Sequence, residues 1–230
     1  MQEQKNPVLD VLGWSGTIKL EVFDKPGGKL VSVVEEEMHS FVRNFFNLQV
    51  MSAMCFAAPN GTVGDADLSL ARKGGVVVNQ TTKMPVIAVR GNVVTDGYIA
   101  AAGDDTVGII IGTSATVFSF DDNDLVTQIL DGVGAGQMSH IESNLGVLTW
   151  SVGTRKFTNE LIRFFNNNSG GPITVRESGI VTEAGFWLSG GSDSTEDLLM
   201  ARDVIGSPPA VADTGQLKVT YNLVSPAFPS

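Results

Sequence analysis

Few stretches of this chain combine residue types and spacings that could do chemistry. Gly132-Val133-Gly134-Ala135-Gly136-Gln137 has the close glycines that let backbone N–H groups converge on an anion. It lacks the Lys-Ser/Thr of a phosphate loop and the apolar helix that should follow, so it reads as a turn. The Gly-Ile-Ile-Ile-Gly of residues 108–112 fails as a dinucleotide fingerprint for the same reason, and its isoleucines read as strand core. Asp121-Asp122-Asn123-Asp124 offers the clustered oxygens a hard cation takes. The glycine and glutamate that a calcium loop needs at its sixth and twelfth positions are replaced here by Val126 and Gly132, and Asx turns that cap residues 125–130 explain the cluster without any ion, so no metal site is assigned. His39 and His140 lie far apart, and neither sits in a motif with Ser or Cys, so each reads as structural.

Glu177 poses a sharper question. Residues 173–181 alternate as a strand, so Ile173, Val175 and Glu177 share one face while Thr174 and Arg176 share the other. A carboxylate on an apolar face is costly unless it is paired and hydrogen-bonded. The expectation is a structural ion pair between Glu177 and an arginine, with Arg155 and Arg202 as candidates and Asp203 as a further member of the network. Arg176 is adjacent but points the wrong way. An acid pair for hydrolysis could come from any of the 25 acidic residues, and nothing in the spacing selects one.

The elements that must position these groups are mostly strands. Residues 16–23 and 29–34 alternate around Asp24-Lys25-Pro26-Gly27-Gly28, which predicts a hairpin. Met38, Phe41, Val42, Phe45 and Leu48 recur at helical spacing and predict a long helix over 36–54. Glu35, Glu36 and Glu37 then suit its positive N-terminus. Phe46, Val50 and Met51 lie off that stripe, so the helix is either buried on more than one side or packed on another subunit. Short strands are expected at 76–79, 85–90, 106–111, 115–120, 138–143, 147–152, 156–165, 173–181, 183–188 and 217–224. Residues 156–181 should form a hairpin about a turn at 166–172, while 59–75 and 189–196 read as exposed loops. The prolines at Pro226 and Pro229 end the last ladder in an extended tail. The fold class expected is mainly β: a jelly-roll-like antiparallel sandwich with one long N-terminal helix, forming a single domain over 1–230 with N- and C-terminal arms.

Composition narrows the partners. The 230 residues carry a net charge of −10, with 43% hydrophobic and 17% charged residues, which reads as folded and argues against general nucleic-acid binding. The lone Cys55 cannot close an internal disulfide, no zinc spacing occurs, and no cofactor motif is present. No apolar run approaches the roughly 20 residues of a membrane helix, so a soluble chain made in the cytoplasm is expected.

The segments GIIIGTS, FSFDDNDLVTQI, GVLTWSVGTRKFTNE, NNNSGGPITVRESGIV and LMARDVIGSPPAVADTGQLKVTYNL stand in an order that resembles structural proteins of tailed bacteriophages. The resemblance covers about residues 108–223, with SFVRNFFNL in the region preceding it; the acidic loop at 189–196 is a departure. It implies a non-enzymatic virion protein without cofactor, made in the host cytoplasm. Such a protein is a homo-oligomer that contacts itself and other virion proteins in the tail, neck, baseplate or capsid. A receptor- or carbohydrate-binding module, suggested by Trp14, Trp150, Trp187 and the asparagine turn, is the alternative, and a polysaccharide depolymerase a further one.

Overall fold

The computed structural model describes residues 13–38, 40–53, 70–75, 77–78, 83–86, 97–187 and 193–228. The chain is mainly β and its sheets are antiparallel. Strands β1 (Ser15–Phe23) and β2 (Leu30–Glu37) form the predicted hairpin, with Gly27 at φ 68 in its turn. Asp24 accepts from the Lys29 N–H at 2.8 Å across that turn. After α1 (Arg43–Ala53) come β3 (Leu70–Ala71), β4 (Val77–Val78), β5 (Lys83–Val86), β6 (Gly108–Gly112), β7 (Ser139–His140), β8 (Asn144–Leu145) and β9 (Thr149–Ser151). The remainder are β10 (Lys156–Asn166), β11 (Ile173–Thr174), β12 (Glu177–Trp187), β13 (Asp193–Val204), β14 (Ala210–Val211) and β15 (Gln216–Val224).

The first sheet runs β2-β1-β15-β10-β7, with β8 and β9 also on β10; the second runs β13-β12-β5, with β6 on β12. Alternation in β1 and β15 turns Ile18, Leu20, Leu217, Val219 and Tyr221 inward, where they join Ile109, Ile111, Ile180 and Met200 of the second sheet in one core. The second sheet buries its other face as well. There Ile110, Val181 and Leu199 pack with Val42, Ala100, Val107 and Leu125 from the connecting segments. Continuous burial on both faces explains why the run over 108–112 lacks alternation.

Four expectations are corrected. The long helix over 36–54 is an 11-residue helix, Arg43–Ala53. The β-branched run before it extends the hairpin until Glu37 stands opposite Thr17, so the three glutamates are strand residues. Phe41 bridges to Ala201 and the Val42 N–H donates to the Met200 carbonyl at 3.1 Å, which carries the chain across to the second sheet before α1 begins. Phe45 and Leu48, on the predicted stripe, and Phe46, off it, are all buried, as a helix covered on more than one side requires.

The hairpin expected over 156–181 does not form. β10 pairs with β15 on one side and with β7, β8 and β9 on the other, while β11 pairs with β14 and β12 joins the second sheet. Residues 173–181 are therefore two strands in two sheets. Residues 193–196, expected in an acidic loop, open the 12-residue β13; residues 188–192 and most of 59–75 lie outside the described residues. Residues 115–120, expected as a strand, are irregular and cover the second sheet.

The tail leaves the ladder as its prolines require, yet it lies along its own subunit. The Ser225 N–H donates to the Phe157 carbonyl and the Phe228 N–H to the Arg155 carbonyl, both at 2.9 Å. The proposed N-terminal arm, residues 1–12, lies outside the described residues.

Candidate functional site

Glu177 opens β12 with no exposed surface. Residues 177 and 179 share the outer face of the second sheet, and Gly179 stands opposite Arg202 on β13. Glu177 and Arg202 are thus diagonal neighbours on one face, with nothing on Gly179 to separate them. Arg202 Nε donates to Glu177 Oε2 at 2.9 Å, and both side chains are fully buried. Nη1 of Arg202 reaches Asp122 Oδ2 and Nη2 reaches the Thr116 carbonyl, each at 2.8 Å. Glu177 Oε1 accepts the Thr127 N–H at 2.8 Å, and Oε2 accepts the Val126 N–H at 3.2 Å.

These bonds clamp residues 113–128 over the sheet. The irregular segment could not otherwise bury its backbone amides, so the ion pair supplies what a neighbouring strand would. Of the predicted members, Glu177 and Arg202 meet. Asp203 follows Arg202 on the strand and so faces the other side, where Ser40 Oγ donates to its carboxylate. There it also raises Tyr221, whose phenol is driven well above its usual range first by burial and then by the Asp203 charge. Arg155 takes no part: it sits in the β9–β10 turn at φ 53, with its N–H on the Ser151 carbonyl at 2.7 Å.

The other candidates resolve individually. Asp121 pairs with Arg43 at 2.5 Å, Asp122 holds Arg202 and the Ser119 N–H, and Asp124 accepts the Leu125 N–H at 2.8 Å. Burial pushes the Asp124 carboxyl up against the pull of Lys73. These oxygens do not converge, and no group of three His, Cys, Asp or Glu suited to a metal occurs among the described residues. Residues 132–137 form the predicted turn: the Gln137 N–H donates to the Gly134 carbonyl at 2.9 Å, and no helix follows. His140 is buried edge-on to Phe165 at 4.9 Å; burial and the nearby Arg163 charge lower it to about 4.

Sequence reasoning missed two buried polar anchors. Arg163 has no exposed surface and donates to the carbonyls of Ile141 at 2.9 Å, Val107 and Ile109 at 3.0 Å, Ala101 at 3.2 Å, and Asp104. Burial lowers its guanidinium to about 10, opposed by Asp104, Asp131 and Asp105. The signal was available: Arg163 lies on the inward parity of β10 between Leu161 and Phe165, both buried. Asn167, also fully buried, donates to the carbonyls of Gly171, Val211 and Ala212. The asparagine-rich turn is therefore organised from within.

A cleft of about 520 Å3 brings together Lys73, Asp104, Glu183, Glu196 and Asp197. Glu183 and Asp197 stand directly opposite each other on β12 and β13. Burial, then the Glu183 charge, pushes the Asp197 carboxyl up. Such a pair can hold a proton or a small cationic group, and Arg72 offsets part of the charge through Glu196 at 3.5 Å.

No helix among the described residues is long and apolar enough to cross a membrane. Compared with protein-family models, curated proteins and solved structures, the chain matches none.

Proposed function

We propose that this chain is a non-enzymatic structural subunit of a tailed-bacteriophage particle, present in repeated copies in the tail, neck or baseplate or on the capsid. The two sheets and their shared core are read as a sandwich of jelly-roll-like kind that presents its edges to neighbours. The observation that carries the reading is the distribution of exposed apolar side chains. Leu145, Val147, Leu148, Trp150, Val152, Phe157 and Phe228 crowd one end of the first sheet, with Val147 84% and Val152 80% exposed. Trp150, Phe157 and Phe228 pack on one another and the others lie on the adjoining strands and turns, and exposed apolar groups gathered in this way mark a contact surface. The buried charged groups Glu177, Arg202 and Arg163 are engaged in holding connecting segments, which suits a scaffold.

The carbohydrate-binding reading draws on one feature, the partly exposed Trp150 packed on Phe157 at 4.7 Å. The exposed hydroxyls that flank it, Thr149 and Ser151, already bond to the Thr158 carbonyl and the Thr154 N–H, its neighbours Val147, Leu148 and Val152 carry none, and the Asn167 amide is buried. Purified particles from a lysate carrying this coding sequence provide the test. The chain is expected in the particle density as a symmetric array, and its absence from particles that contain the other structural proteins would overturn the assignment. Binding of Trp150 to glycans, lost in Trp150→Ala, would favour the alternative.

A further inference from the structure

The first sheet ends in two edges that differ in kind. At one, β2 pairs only with β1 among the described residues and exposes Leu30, Val31 and Val33 at 43%, 65% and 45%. At the other, β8 and β9 pair only with β10 among the described residues and carry the apolar patch around Val147, Leu148 and Trp150. An edge strand with exposed apolar residues is a template for another chain. In most monomers charges, prolines or a covering loop suppress it. Here the charges and the loop contact are confined to Glu35, Glu36 and Glu37, where the Gly206 and Ser207 N–H groups donate to Glu36; residues 30–34 carry no charge, and residues 32–37 remain in regular register with β1.

We propose that the occupant of each edge is a second copy of this chain, joined head to tail, with the β2 edge of one subunit against the β8–β9 edge of the next. Topology and charge both point to this arrangement. Every step of β2-β1-β15-β10-β9 is antiparallel, so β2 and β9 run in the same direction. A neighbour placed by continuing the sheet brings its β2 alongside β9 in parallel. Along that direction the hairpin passes from its turn, where Lys25 and Lys29 outnumber Asp24, through the valines of β2 to Glu35 and Glu37. The opposite edge passes from Glu142 through residues 145–154, which carry no charge, to Arg155 and Lys156. Basic meets acidic at both ends, and apolar meets apolar between them.

Register adds a constraint. Val33 is level with Ile141 through Glu21, Lys218 and Phe164, whereas Leu148 lies several residues farther along the sheet. Aligning the apolar centres staggers neighbours by about five residues, roughly 16 Å at the rise of a strand. The same stagger moves Glu37 toward Arg155 and Lys29 toward Glu142. A contact between two different surfaces makes rings when its rotation closes and helical arrays when it does not. The net charge of −10 opposes association elsewhere on the surface, which leaves the uncharged stretch as the place of closest approach.

The inference rests on reading the chain as a repeated subunit, and it is tested on the full chain by sedimentation velocity. Two double variants, Val31→Lys with Val33→Lys and Val147→Lys with Leu148→Lys, place charge only where side chains are already exposed, so the fold is retained. The unmodified chain should associate with rising concentration. Each double variant alone should need at least tenfold higher concentration. Mixed, the two variants should form one-to-one pairs and stop, because each pair has one intact contact and two blocked edges. A monomeric parent chain, a variant that associates like the parent, or a mixture that forms no pairs would overturn the edge contact. If both variants enter particles in normal copy number, the edge contact fails and the virion reading stands. If the mixed variants pair but the parent chain is absent from particles, the edge contact stands and the virion reading fails.

Discussion

A Cβ added to Gly112 would lie 2.6 Å from Glu177 Oε1 and 2.5 Å from the Thr127 carbonyl oxygen. Gly112 and Glu177 are register partners on β6 and β12, so the clamp over the second sheet depends on a missing side chain in the adjacent strand. Gly112→Ala should displace the fully buried carboxylate or the 126–128 backbone. The expected loss is about 2 to 3 kcal/mol, as for overpacked cores. Urea unfolding measures it, and a midpoint equal to the parent's would show that the carboxylate relaxes freely.

Removing the anion itself should cost more. Glu177→Ala leaves buried Arg202 with Asp122 as its one carboxylate partner, and unpairs its Nε and the partly buried N–H groups of Val126 and Thr127. A loss of roughly 3 to 5 kcal/mol is expected for a broken buried pair. Glu177→Gln keeps the shape and should recover part of that. A Glu177→Gln variant as stable as the parent would mean that the charge contributes nothing, and in Glu177→Ala hydrogen exchange should show residues 113–128 opening first.

Arg163→Lys provides a test of the carbonyl-bound guanidinium. An ammonium has three donors where the guanidinium meets five carbonyls, so several buried acceptors lose their donor. The loss should be on the order of 3 kcal/mol. Amide exchange in residues 101–109 should accelerate while β1 and β15 keep their protection.

His140 should make the protein acid-sensitive. Its folded value of about 4 lies below the ordinary 6.5, so between these pH values the unfolded chain binds a proton that the folded chain does not. Stability contributed by this residue is present above pH 6.5 and falls as pH drops toward 4, approaching a loss of roughly 3 kcal/mol. Arg163 disfavours the imidazolium, while Asp131 and Asp105 pull the other way. In His140→Leu this component of the pH slope should vanish, and an unchanged slope relative to the parent would exclude His140 as its source.

Much of the fold was legible because it is local. Alternation over 16–23 with the turn at 24–28 specifies a hairpin, since the residues that bend the chain lie beside those they join. The burial of Glu177 was legible in the same way, as a carboxylate at an apolar parity. Its partner was not. Arg202 is chosen over Arg155 by the pairing of β12 with β13, and Asp203 is excluded by the alternation of that same strand.

The sequence by itself determined a β-rich chain, its first hairpin, its closing strand and the need for a counterion at Glu177, because each follows from neighbours within a few residues. Tertiary structure decided the rest. It ended the helical periodicity of 36–42 by pairing the glutamates with β1, and divided 173–181 between two sheets. It also gathered five distant carbonyls around Arg163. Those outcomes depend on contacts between segments tens of residues apart, where the free energy of pairing and burial exceeds any local preference.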